Sequence, residues 1–154
     1  MDEAEHARLR VAAVVLAVVV AGIHLLHPSQ GGVALLVFAR VGYLGDPRPL
    51  LFTLGAFALL FGVIAGALGV ERRPLYVGGI AVTLSFLVGF LAWHTVLDHG
   101  GFWPSLQPNE HADRHALVVA ADHLRRDGLL FAAKLAELAL LAALAVLYSL
   151  DSAR

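Results

Sequence analysis

Four apolar stretches, each close to the ~20 residues needed to cross a bilayer as a helix, constrain this chain more than any other feature. They run over residues 9–26, 50–70, 75–97 and 128–148. Charge is nearly excluded from them: Arg10 lies near the start of the first, and Lys134 and Glu137 lie within the fourth. A charged side chain at the centre of a membrane helix costs roughly 2.5–3.5 kcal/mol on insertion scales, so the exclusion has a physical cause. The expected architecture is an all-α, integral membrane four-helix bundle forming a single transmembrane domain over residues 1–154. A short amphipathic helix is expected at about residues 110–126, between the third and fourth spans.

Composition supports the same reading. Hydrophobic residues make up 59% of the 154 and charged residues 15%, against about a quarter charged in a soluble domain. Mean hydropathy is +0.78. The expected partner is therefore the lipid bilayer, and a net charge of −1 gives no reason to expect nucleic acid. A membrane-protein partner or a homodimer both stay open. The leader carries Asp2, Glu3 and Glu5 beside Arg8 and Arg10. A cleaved signal peptide usually has a plainly positive start, so the first span is expected to be retained.

Punctuation between the spans is sharp. Pro28, Gly31 and Gly32 stop the first span, and residues 33–38 are apolar but too short to cross. Asp46, Pro47, Arg48 and Pro49 form a stiff turn before the second span, where Asp46 can cap the helix or pair with Arg48 or Arg40. Glu71, Arg72, Arg73 and Pro74 close a tight hairpin that makes the second and third spans antiparallel neighbours. Gly62 and Gly66 form a GxxxG pattern, suited to close helix packing within the chain or against a second copy. Both tryptophans, Trp93 and Trp103, fall at or just beyond the end of the third span, as expected of an aromatic belt at headgroup level. Arginines divide five and five between the two ends, so the positive-inside rule is tied; the compact Arg72–Arg73 hairpin favours termini in the cytoplasm of a multi-pass cell-membrane protein.

An even number of crossings places His24, His27, His94, His99, His111, His115 and His123 at one end and His6 at the other. His24 and His27 are three apart, His94 and Asp98 four, His111 and His115 four; such spacings set two side chains on one helix face. With no cysteine, a metal here must use imidazole, carboxylate, backbone or water. His24, His27, His94, Asp98, His99, His111 and His115 are the candidate metal ligands, suited to zinc, copper or iron. His24 and His94 are also the candidates for a bis-histidine haem b, which needs one imidazole from each of two facing helices. The competing reading is histidine that merely favours the interface.

Lys134 and Glu137, three apart, form a candidate intramembrane ion pair, closed on itself with help from Thr53, Thr83 or Ser85, or acting as a proton relay. In size and span count the chain is similar to small four-span families, including DoxX-like membrane proteins associated with quinone-linked oxidoreductases; helix count assigns no residue role. The function expected is a component of a membrane redox or metal-handling system. The rivals are a non-catalytic assembly subunit and a proton-coupled transporter using Glu137 and Lys134. No nucleophile–base pair marks an enzyme.

Overall fold

The computed structural model describes residues 2–42, 45–101, 106 and 115–152, with Asp98 and Ala116 described in backbone only. Four long helices carry the four apolar stretches: α1 (Glu3–Leu26), α3 (Arg48–Ala67), α4 (Arg72–His94) and α6 (Gly128–Ser152), each long and apolar enough to cross a membrane. Two shorter helices, α2 (Gly32–Val41) and α5 (Ala116–Arg126), lie in the connections after the first and third spans. The all-helical bundle expected from the sequence is the fold observed. The expected amphipathic helix begins, within the described residues, at Ala116.

Local chemistry explains the boundaries. Asp2 accepts a hydrogen bond from Glu5 N at 2.7 Å, and Glu5 Oε2 accepts from Asp2 N at 3.0 Å. This reciprocal capping box satisfies two of the donors a helix start leaves open. The acidic leader is thus the cap of α1. Asp46 accepts from Arg48 N at 2.9 Å and grips the Arg48 guanidinium at 2.6–3.0 Å, which starts α3. Arg48 also lies over the Trp93 ring, 4.5 Å from its centroid, joining the start of α3 to the end of α4.

Around the bundle the order is α1, α3, α4, α6, each span packing on two neighbours. Diagonal pairs, α1 with α4 and α3 with α6, have no close backbone approach; α1 and α4 meet through side chains, the His24 ring lying 4.1 Å from that of Phe86. Neighbours are antiparallel: His24 near the end of α1 meets Glu137 near the start of α6, whereas Arg10 near its start meets Asp151 near the end of α6. The helices hide small and branched side chains such as Ala17, Val20, Ala56, Leu140 and Leu147. Outward they show Val15, Leu54, Phe61, Val88 and Leu135. An apolar exterior around an interior holding His24, Thr53, Thr83, Lys134 and Glu137 suits a surrounding of hydrocarbon.

Two glycines permit close approaches that a side chain would prevent. A Cβ on Gly55 would fall 2.5 Å from the Phe86 ring, so its absence lets Phe86 reach inward between α3 and α4. A Cβ on Gly31 would fall 2.0 Å from the His24 carbonyl oxygen, so glycine lets the chain fold back over the end of α1.

Candidate functional site

Three imidazoles converge at the end of the bundle opposite the termini. His94 ends α4, His99 lies in the 3-10 turn Asp98–Gly100, and His123 comes from the last turns of α5. One ring nitrogen from each lies within 4.8 Å of the other two. Ring centroids are 4.5 Å apart for His94 and His123, 4.9 Å for His94 and His99, and 5.4 Å for His99 and His123. All three side chains are half-buried.

The hydrogen bonds behind the rings decide which nitrogens keep a lone pair for an ion. His94 Nδ1 lies 2.8 Å from the Phe90 carbonyl, and His123 Nδ1 lies 2.8 Å from the Val119 carbonyl. A carbonyl only accepts, so each Nδ1 carries the hydrogen and each Nε2 keeps its lone pair. Metal-bound histidines are commonly held in this way, the far N–H donated to a backbone carbonyl. The bond to the residue four back is available because histidine on a helix can reach that carbonyl.

His99 enters the group from a special backbone conformation, φ 53 and ψ 27. This is the left-handed region, which costs a non-glycine residue on the order of 1 kcal/mol or more. Gly100 follows at φ 86, with no room for a Cβ, which would lie 2.5 Å from Trp93. The sharp turn after α4 thereby folds His99 back toward His94.

On α5 the face turned to the bundle carries Val119 and Ala120, which are buried, and His123 one turn on. Leu117 is 63% exposed. The sequence pattern groups Leu117, Ala120 and Leu124 as the apolar face; packing selects a face rotated toward Val119, and His123 comes with it. His123 is the ligand candidate that spacing alone misses, because its partners come from another helix and a turn. Its signal is position four after Val119.

Deeper in the bundle is a second polar group. Glu137 is completely buried. Its Oε1 accepts from His24 Nε2 at 2.9 Å and from Lys134 Nζ at 2.8 Å, and its Oε2 accepts from Lys134 at 2.8 Å. Lys134 Nζ gives its remaining bond to the Phe86 carbonyl at 3.3 Å. The three lysine donors are accounted for, as a buried ammonium requires. The His24 ring is flanked by Phe86 and Phe52, with centroids at 4.1 and 4.9 Å. Thr53, Thr83 and Ser85 turn their hydroxyls to carbonyls of their own helices, so His24 and Phe86 complete the Lys134–Glu137 pair.

Phe90 links the two groups. Its ring lies 4.4 Å from that of His94 and 5.2 Å from Lys134 Nζ. The other candidate ligands lie elsewhere. His27 caps the end of α1, its Nδ1 3.4 Å from Ser29 N; burial holds it below the usual imidazole range, opposed by the carboxylate of Asp127. His115 caps α5, accepting from Leu117 N at 3.4 Å, and is exposed. His111 and the side chain of Asp98 lie outside the described residues. His6, at the opposite end, lies with Nε2 3.1 Å from Asp151 Oδ1.

Comparisons with protein-family models, with curated proteins and with solved structures found no match to this chain.

Proposed function

We propose that this four-span membrane protein holds a divalent transition metal on His94, His99 and His123, as a component of a membrane redox or metal-handling system. The observation that carries the reading is the convergence of three imidazoles, two of them with Nε2 turned free by a backbone hydrogen bond. Neutral imidazole suits zinc, copper and iron. Three protein ligands leave a fourth position for water or a transferred group, the pattern of reactive rather than purely structural zinc sites. Ligands at 2.0–2.1 Å around a tetrahedral ion stand about 3.3 Å apart, so the rings need to close only modestly. Half-burial at the bundle end gives an incoming ion a path from water.

Competition for zinc against a chromophoric chelator tests this. The 154-residue chain in detergent should take up one ion, and His94→Ala and His123→Ala should each lose about 10-fold or more in affinity. Uptake unchanged in both variants would remove the reading.

The buried His24–Glu137–Lys134 group favours a second reading, coupling of a proton to whatever the metal end does. Ionisable groups at this depth are costly and tend to serve ion pathways. Glu137→Gln should then abolish pH-dependent flux in vesicles while leaving zinc uptake intact, and unchanged flux would end this second reading.

A further inference from the structure

At the end of the bundle that carries the termini, α1, α3, α4 and α6 enclose a half-open cleft of about 610 Å³. That volume falls within the range of small-molecule sites, roughly 300–1,000 Å³. Its walls are apolar. Gly62 of α3 and Gly78 of α4 line it, and a Cβ built on either would meet nothing within 4 Å. The GxxxG glycine Gly62 therefore borders open space instead of bringing two helices of this chain together. The close approaches are made by Gly55 and Gly79, whose Cβ positions fall 2.5 Å from Phe86 and 2.8 Å from Leu144.

Polar groups gather on one part of this wall, from the first turns of α4 and the first half of α1. Tyr76 lines the cleft and is 8% exposed, yet its hydroxyl has no hydrogen-bond partner. It sits within reach of Arg10 and Asp151, but at angles too poor for a good hydrogen bond to either. Arg10 gives Nη2 to Asp151 at 3.3 Å, but its Nε is buried and unbonded. Arg72 also lines the cleft and makes no ion pair among the described residues. A buried donor left unsatisfied is costly, and here the Tyr76 hydroxyl and the Arg10 Nε–H share one apolar cleft with the guanidinium of Arg72.

We propose that this cleft binds an acidic amphiphile, a fatty acid or an anionic phospholipid. Its acyl chain lies against Gly62 and Gly78, and its acidic head takes hydrogen bonds from Tyr76, Arg10 and Arg72. The commitment to an acidic head rests on charge: two arginines border the cleft, and the nearby carboxylate of Asp151 offsets only one of them, Arg10. The inference is independent of the metal reading, since the site lies at the other end of the bundle.

The test uses the full chain in phosphatidylcholine nanodiscs, with stearic acid, phosphatidylglycerol and stearyl alcohol as separate probes. Retention is read by native mass spectrometry. Stearic acid or phosphatidylglycerol should be retained and the alcohol should not, and the retained probe identifies the source of the acidic head. The Gly62→Leu/Gly78→Leu variant, whose Cβ atoms fall in open space and whose side chains would fill the cleft, should lower retention about 10-fold. Tyr76→Phe should lower it about fivefold through one lost hydrogen bond; circular dichroism checks that both variants keep their helices. The proposal is overturned if the alcohol is held as well as the acid, or if filling the cleft leaves retention unchanged. It is equally overturned if neither acidic probe is retained; a native dimer that the filled variant dissociates would then assign the cleft to a second copy of the chain.

Discussion

His24 Nε2 and Glu137 Oε1 lie 2.9 Å apart across 113 residues of sequence, inside a bundle whose interior is otherwise largely apolar. The contact joins the end of α1 to the start of α6 and gives Glu137 its second cationic or hydrogen-bonding partner after Lys134. It also fixes the relative height of the two helices, because a carboxylate at zero exposure must meet its donors where they stand.

Breaking this group from one side should be costly. Lys134→Met leaves Glu137 buried with only His24, and Glu137→Met leaves the ammonium with only a carbonyl. Each should destabilise the bundle by about 3–5 kcal/mol. The double variant Lys134→Met/Glu137→Met replaces both charges by apolar side chains and should recover most of that loss. Thermal unfolding in detergent, measured on the two single variants and the double, provides the check; additive losses would contradict the network.

The tautomers of His94 and His123 follow from the carbonyls behind them. Nitrogen-15 spectra of the metal-free protein at neutral pH should show both rings with the hydrogen on Nδ1. Replacing the backbone acceptor is impossible by mutation. Moving His123 one position along α5, with His123→Ala combined with Leu124→His, keeps the number of histidines while removing both convergence and the Val119 bond. Zinc affinity in that variant should fall about 10-fold or more.

Gly100 shapes the turn that presents His99. Gly100→Ala places a methyl at φ 86 and against the Trp93 ring, which should cost about 1 kcal/mol or more. Because the strain falls on the residue next to His99, zinc affinity should drop along with the melting temperature. Gly62→Ala, at the other end of the bundle and meeting no atom of the chain, should leave zinc affinity unchanged and not lower the melting temperature, and serves as the control.

Much of this organisation is legible in residue order, for a physical reason. Hydrocarbon demands about 20 apolar residues per crossing, so the spans announce themselves, and the observed helices differ from the apolar runs mainly where charged residues extend them into the headgroup region. Arg72 and Arg73 extend α4 in this way, as do Glu3 and Glu5 in α1. The gathering of histidines at one end follows from counting crossings. The groupings within that end do not. His24 and His94 sit on α1 and α4, which are diagonal in the bundle, and the order of helices around a bundle is set by side-chain packing that no periodicity records. His24 thus pairs with Glu137, and His94 with His99 and His123. Lys134 and Glu137 were visible as neighbours because their contact is local, three residues along one helix. The cleft at the far end had no signature beyond Gly62 and Gly66, whose spacing reads equally as a packing motif.

Zinc-edge X-ray absorption on the zinc-loaded protein tests the central claim most directly, because it counts imidazoles at the ion. Three imidazole nitrogens at about 2.0–2.1 Å, falling to two in His123→Ala, is the predicted result. A first shell of oxygen with one imidazole or none, unchanged in His123→Ala, would contradict it.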